Sequence, residues 1–327
     1  MFGRQWVTLL LVLIAALLWW RLPPGEQQLS RTALVMGTLV EIKAFGDDEE
    51  QLDSAISKAF AEMTRLEALL SSHQPKSEIS RLSNSADEFV ASPETIELIS
   101  LGRKIAERSN GAFDMTLGAL KKLWAIESEN PQVPSEEQIA VALQGVGPEA
   151  LQLDGNRVRK KLPGLQVDLG GIAKGYAVDR ALALLRAAGI TSASVNAGGD
   201  IALLGDHDGR PWRIGIQHPR KSGELLAALE LSDRAVVSSG DYERFFEQDG
   251  IRYHHIFDPR SGQPARLCQS VTVVAADAAS ADALATAAFV LGPEEGLQLL
   301  EQLPDVEGLI IANNGKEWQT SGLPQSQ

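Results

Sequence analysis

Asp282 and Thr286 stand four residues apart in the segment Ala279 to Gly292, ASADALATAAFVLG. Its small and apolar body and the closing Gly292 predict a helix, with Ser280 as its N-cap. Four residues make about one turn, so the carboxylate and the hydroxyl share one face near the helix start. Two oxygen donors placed this way suit a hard cation such as Mg²⁺, which takes one or two carboxylates and completes its shell with phosphate oxygens and water. The same residues also have an ordinary use. An Asp near a helix start is favourable by itself, and a helical Thr often bonds back to a carbonyl.

About a hundred residues earlier, Asp168 to Asp179 reads DLGGIAKGYAVD. A carboxylate and two glycines precede a helical pattern that begins near Lys174. Glycines let backbone approach an anion, and the free amides of a helix start carry the positive end of its dipole, so this segment is a candidate phosphate site. It is neither a P-loop nor the GxGxxG dinucleotide fingerprint, and a Gly-Gly pair before a helix also serves as plain punctuation. A third candidate is YHHIFDPRSG, Tyr253 to Gly262. On a strand, His254 and His255 point to opposite faces, so only one can enter a given site, and a lone strand His is more often structural. Asp258 to Gly262 reads as the turn that ends the strand. In NGAFDMTLGALKKLW, Asn110 to Trp124, an aromatic ring could face a planar ligand or return to the core. The Gly-Gly turn of VNAGGDI, Val195 to Ile201, could approach a ligand or form a bulge.

Composition limits what these residues can serve. The chain has 327 residues, 44% hydrophobic and 22% charged, enough to bury a sizeable core. A net charge of −13 disfavours a nucleic-acid surface and gives no general attraction to anionic lipid. An anionic substrate therefore needs local help from a metal or from glycine-lined backbone. The single cysteine, Cys268, excludes an internal disulfide and any Cys₄ metal site.

Arg4 precedes an apolar run from Trp6 to Trp20, followed by Arg21 and Pro23-Pro24. The run is an export signal, somewhat short of the roughly 20 residues of a full span. No small-x-small cleavage site follows it. Residues 1–28 are accordingly expected to form a membrane signal-anchor and short linker, with Trp19 and Trp20 at the interface, and residues 29–327 an exported catalytic domain.

The elements that must position the candidate residues are mixed. Residues 29–44 read as one strand-like stretch with Gly37 in its middle. Residues 50–70 carry Leu52, Ile56, Phe60, Met63, Leu66 and Leu70 at helical spacing. Ser92-Pro93-Glu94 opens another helix that Asn110-Gly111 closes, and Ser135 with Gln138 forms a capping box. Asp154-Gly155 and Asp249-Gly250 signal hairpins. Further strands are expected at 192–195, 212–217, 235–238, 271–275 and 308–312. Helices mixed with hairpins predict an α+β fold of largely antiparallel strands in one catalytic domain, with room for two lobes.

Seven segments stand in one order: MGTLVEI from Met36, LSSHQPKSEISRL from Leu70, GAFDMTLG from Gly111, VDLGGIAKGYAVD from Val167, NAGGDI from Asn196, HHIFDPRSG from His254 and DALATAAFVLG from Asp282. Together they resemble the FAD:protein FMN transferase family, often called ApbE, over nearly everything after the apolar run. The resemblance implies an exported, metal-dependent enzyme, anchored in the bacterial inner membrane with its catalytic domain in the periplasm, that splits FAD and attaches FMN through a phosphoester to a Thr or Ser of an acceptor protein, releasing AMP. It implies that Met36, Ala112, Phe113, Asp114 and Asp168 hold FAD, with Lys174 and the Ser270 backbone nearby. Mg²⁺ would sit between Asp282, Thr286 and the Gly171 carbonyl, and His255 would take the proton from the acceptor hydroxyl. His73 stands where family members often carry a Tyr or Trp against the flavin. Acceptors implied by the resemblance are flavin-carrying subunits of membrane redox pumps, such as sodium-pumping NADH:quinone reductase. The alternatives are a hydrolase that releases FMN and AMP from the same site, and a non-catalytic flavin-binding protein.

Overall fold

Both ends of the described chain enter the same sheet. A computed structural model describes residues 27–207 and 209–324. The apolar run 6–20 lies outside them, and among the described residues no helix is long and apolar enough to cross a membrane.

The first elements are β1 (Gln27–Val35) and β2 (Thr38–Gly46). They form a hairpin, not the single stretch expected from the sequence. Met36 and Gly37 take positive φ angles of 55° and 70°, the twist of a two-residue hairpin turn, so Gly37 reverses the chain instead of weakening a strand. Next comes α1 (Glu49–Leu70), opened by the Asp48 side chain on the amides of Glu50 and Gln51. Its stripe of Leu52, Ile56, Met63, Leu66 and Leu70 is buried, as the spacing predicts.

Between α1 and the second half of the sheet lie α2 (Glu78–Asn84), β3 (Glu88–Val90), α3 (Pro93–Arg108), α4 (Gly118–Trp124), α5 (Glu136–Ala142), β4 (Leu151–Asp154) and β5 (Arg157–Lys160). The caps read from sequence are present: Ser92 accepts from the Thr95 amide, and Ser135 and Gln138 form the capping box. Then follow α6 (Ala173–Ala187), β6 (Ser192–Ala197), β7 (Asp200–Leu204), β8 (Trp212–Gln217), β9 (Leu225–Leu231), β10 (Ala235–Gly240), β11 (Phe245–Gln248), β12 (Ile251–His254), β13 (Cys268–Ala275), α7 (Ala278–Leu291), α8 (Pro293–Glu301), β14 (Glu307–Ala312) and β15 (Glu317–Gln319).

The main sheet runs β1-β2-β6-β7-β10-β13-β14-β15, antiparallel at each pairing. Its central strand β13 is buried throughout. Alternation explains why: Val271 and Val273 enter the main core with α1, α6 and α7, while Val274 enters a second cluster with Trp212, Leu229 and Leu231 of the β8–β9 hairpin. The fold is therefore α+β, with helices over one face of the sheet and a hairpin over the other.

The helix expected from Ala279 begins earlier than the sequence suggests. Asp277, not Ser280, is the N-cap of α7, and its side chain accepts from the Ser280 amide at 2.7 Å. A carboxylate three residues before an amide competes well for the capping role, and Ser280 is left inside the helix. Asp282 thus lies beyond the four free amides of the helix start. Helix-dipole stabilisation no longer accounts for its presence.

Candidate active site

Glycines decide how the two candidate helices meet. A Cβ on Gly175 would fall 2.2 Å from the Ala278 carbonyl oxygen, so glycine is what lets the first turn of α6 rest on the first turn of α7. Across this contact the Gly175 amide donates to Asp282 Oδ2 at 3.3 Å. Asp179 on α6 accepts from the amides of Ala278 and Ala279 at 2.8 and 2.9 Å. It is a second cap for α7, supplied by a neighbouring helix, and burial pushes its carboxyl up to about 7. Gly171 faces the next turn of α7: a Cβ there would lie 3.3 Å from Thr286 Oγ1 and from the Phe113 ring.

Asp282, Thr286 and Gly171 line a small cavity of about 70 Å³, with Asp114, Asp200 and His255 in its walls. Its floor is acidic. Asp200 is fully buried, accepts from Lys174 Nζ at 2.7 Å and lines the cavity with Asp282. The other carboxylate oxygen of Asp200, Oδ2, is buried without a partner. The same is true of Asp114 Oδ2, although Asp114 Oδ1 takes the Thr116 amide and hydroxyl at 2.7 and 2.5 Å. Burial raises the Asp282 carboxyl well above its ordinary range and Asp200 adds to the rise, with Lys174 offsetting only part. Burial likewise outweighs Lys174 at Asp200 and raises it. For Lys174, burial acts against the ammonium, but the two carboxylates hold its pKa above the ordinary value.

Such a floor carries more negative charge than its protein partners balance, and buried charge of that kind calls for a counter-ion. Carboxylate oxygens, a hydroxyl and nearby backbone carbonyl are the hard donors that Mg²⁺ prefers. Among the described residues no group of three or more His, Cys, Asp or Glu side chains gathers as a metal site.

Asp168 presents the opposite balance. Lys121 of α4 pairs with its Oδ1, the Gly170 amide donates to the same oxygen at 2.9 Å, and Ser72 Oγ donates to Oδ2 at 2.7 Å. Burial pushes this carboxyl up, but the Lys121 charge and these hydrogen bonds prevail and hold it well below the ordinary carboxylate range.

His255 stands where the small cavity opens into a cleft of about 690 Å³, a volume suited to a cofactor-sized ligand. Asp168, Lys174, Lys121 and Arg244 line both spaces. The two histidines divide, although the strand expected to hold both ends at His254 and leaves His255 in the bend after it. His254 is buried at the end of β12, donating Nε2–H to the Ala265 carbonyl at 2.6 Å and accepting the Ile256 amide on Nδ1 at 3.3 Å. His255 donates its amide to the Arg244 carbonyl at 3.2 Å, with Nδ1 of its ring 3.4 Å from the same oxygen. A carbonyl can only accept, so Nδ1 carries the hydrogen and Nε2 keeps its lone pair. Burial, with the charges of Arg244 and Lys121, pushes His255 well below its ordinary 6.5, so the ring is neutral at pH 7.

Met36, in its hairpin turn, and His73, exposed, line the large cleft. Ala112, Phe113 and Asp114 line the small cavity. Ser270 is buried in β13 opposite Gly240 and is not among the residues lining either space. Trp124 belongs to the core: it is fully buried, donates Nε1–H to the Gly262 carbonyl at 2.9 Å and stacks on Tyr253 with ring centroids 5.5 Å apart. Sequence reasoning missed Lys121, Asp200 and Arg244. Lys121 and Asp200 lie inside quoted segments, but nothing local separates Lys121 from Lys122 or shows that Asp200 turns inward.

The sequence pattern of the ApbE family matches residues 36–310. The chain is 34% identical to a protein of Treponema pallidum named FAD:protein FMN transferase, over 91% of this chain and 88% of that relative. Among solved structures, the ApbE protein of Thermotoga maritima superposes with a TM-score of 0.83 at 35% identity, covering 90% of this chain and 97% of the other. The flavin transferase ApbE of Vibrio cholerae superposes with a TM-score of 0.81 at 33% identity, covering 91% and 98%.

Proposed function

The chain belongs to the ApbE family, and we propose that it is an FAD:protein FMN transferase that uses Mg²⁺ to move FMN from FAD onto a Ser or Thr hydroxyl of an acceptor protein, releasing AMP. One observation carries the reading: a neutral histidine, with its free Nε2, stands between an acidic cavity and a cofactor-sized cleft.

FAD occupies the large cleft, with Met36 and His73 at its mouth, Asp168 and Lys174 where the two spaces meet, and Ala112 to Asp114 toward the acidic cavity. Asp282, Thr286 and the Gly171 carbonyl hold Mg²⁺, which when bound supplies positive charge to pyrophosphate oxygens in a protein whose own charge is unfavourable. The acceptor oxygen forms a bond to the FMN phosphorus while its proton passes to His255 Nε2. The bond from that phosphorus to the bridging oxygen breaks, and AMP leaves with the electron pair. Transfer of this type needs positioning and charge stabilisation more than covalent work by the protein. The Arg244 carbonyl fixes the ring of His255 for that task.

The proposal places this domain in the periplasm behind an anchor at 6–20, with flavin-carrying subunits of membrane redox pumps as acceptors. The test incubates the protein with FAD, Mg²⁺ and a candidate acceptor, following flavin fluorescence on a denaturing gel beside free FMN and AMP. Fluorescent acceptor with matching AMP supports transfer. Free FMN at equal rates with and without acceptor assigns a hydrolase, and intact FAD in both tubes assigns a flavin-binding protein.

A further inference from the structure

Asp282 is not the only carboxylate at the acidic cavity. Asp114, Asp168 and Glu243 also line it, and the Gly-Gly turn of β6–β7 adds Asp200. Gly198 and Gly199 take φ of 59° and 102°, the Gly199 amide is held by Asn196 Oδ1 at 3.0 Å, and Ala197 pairs with Asp200 across the turn. A Cβ on Gly198 would meet Thr38 Oγ1 at 2.2 Å, so the tight turn is also tied against β2. The result is a fixed, fully buried Asp200 at the first position of β7.

The two oxygens of Asp200 have different surroundings. Oδ1 takes the Lys174 ammonium at 2.7 Å, whereas Oδ2 is buried and unpartnered, and the residue lines the same cavity as Asp282 and Thr286. A counter-ion role for Lys174 alone accounts for one oxygen and leaves the other at the full cost of desolvation. The cavity, at about 70 Å³, exceeds the roughly 10–15 Å³ that one water needs, so it can hold a cation with part of its hydration shell. Mg²⁺ retains several of its waters, and those waters need acceptors.

The geometry points to Asp200 as a positioning residue of the cation site, its Oδ2 accepting a hydrogen bond from a water bound to the divalent ion. This inference rests on the cation site proposed above. It makes the site a two-carboxylate device, one carboxylate touching the ion and the other orienting its water, and gives the Gly-Gly turn a function.

The experiment measures Mn²⁺ binding to the protein without FAD, by calorimetry, in wild type, Asp282→Ala, Asp200→Asn, Lys174→Met and the double variant Lys174→Met/Asp200→Asn. Loss of a supporting contact to a metal site costs about 10–100-fold in affinity, and that is the weakening expected for Asp200→Asn. The same factor should persist when Asp200→Asn is made in the Lys174→Met background. If the factor vanishes there, Asp200 acts only through Lys174 and the inference is overturned. Wild-type affinity in Asp282→Ala sinks the cation site and the role of Asp200 with it; loss in Asp282→Ala alone sinks only the role of Asp200. Should Asp200→Asn fail to fold, anomalous diffraction from Mn²⁺-soaked wild-type crystals decides. A manganese-bound water on Asp200 Oδ2 supports the inference, and a bound ion with no water on that oxygen overturns it.

Discussion

The Asp168 wall and the Asp282 floor are both built from buried carboxylates with a lysine alongside, yet they end in opposite states. At Asp168 one carboxylate meets one ammonium, a hydroxyl and an amide, and the account closes. At the floor, Asp282 and Asp200 share one ammonium, and an oxygen is left unpartnered. Low dielectric makes satisfied polar groups rigid and unsatisfied ones costly. The wall is therefore a finished surface, whereas the floor keeps a buried oxygen without a partner, which the proposed cation site would engage.

His255 faces both regions, so its removal is the most severe way to break the comparison. His255→Ala should lower FMN transfer by about 10²–10⁴-fold while FAD binding stays near wild type, because the proton acceptor goes and the ligand contacts remain. Single-turnover transfer beside equilibrium FAD titration checks this, and unchanged transfer would remove His255 from the base role. Asp282→Ala attacks the floor alone. Mg²⁺-dependent FAD cleavage should fall on the order of 10²–10³-fold, as when a charge contact to the transition state is lost, with the fold intact. Wild-type Mg²⁺ dependence in that variant would place the metal elsewhere.

Lys121→Met attacks the wall by leaving Asp168 buried and unpaired. The expected loss of stability is about 1–3 kcal/mol, below that of a fully buried pair because Lys121 is 34% exposed. The pairing depresses the carboxyl pKa in the folded state, so its contribution is complete above the unfolded value near 3.8 and is lost as pH falls further. Denaturant curves of variant and wild type should therefore differ most near neutral pH and converge in acid. Thr286→Ala removes a neutral donor from the floor and should weaken Mg²⁺ binding roughly 10-fold, less than Asp282→Ala, by calorimetric titration. The smallest effect is a displacement. Because His255 is held below 6.5, it loses its proton-accepting form only in more acid solution, so the acid limb of transfer should fall below pH 6.5. A limb at or above that value would show that burial does not control the group.

The sequence disclosed the parts of this arrangement that local spacing encodes. Asp282 and Thr286 share a helix face whether the cap is Ser280 or Asp277, because their separation is fixed. Gly170 and Gly171 could be placed before a helix, and the hairpin at Asp249-Gly250 follows from its two positive φ angles. Charge balance could not be read. Whether Asp168 or Asp200 ends with a surplus depends on Lys121 and Lys174 reaching across 47 and 26 residues. Gly37 misled for a related reason: an isolated Gly in an apolar run marks a weak strand or a turn, and the partner strand decides which. The sequence left the aromatic rings of residues 110–124 facing a ligand or the core, and the Gly262 carbonyl that takes the Trp124 indole N–H holds that ring in the core.

The contact between Gly175 and Asp282 spans 107 residues. During synthesis, Ser72, Lys121 and Asp168 all emerge well before Asp282, so the groups of the wall are present while the floor still lacks its last carboxylate. Asp282 and Thr286 appear only near the end, on a helix whose first amides wait for Asp179. A chain stopped between residues 170 and 282 carries Ser72, Lys121, Asp168 and Gly170 without the carboxylate of Asp282. On the proposed function, flavin transfer waits for the completed polypeptide, and a product terminated before residue 282 is expected to be inert toward FAD.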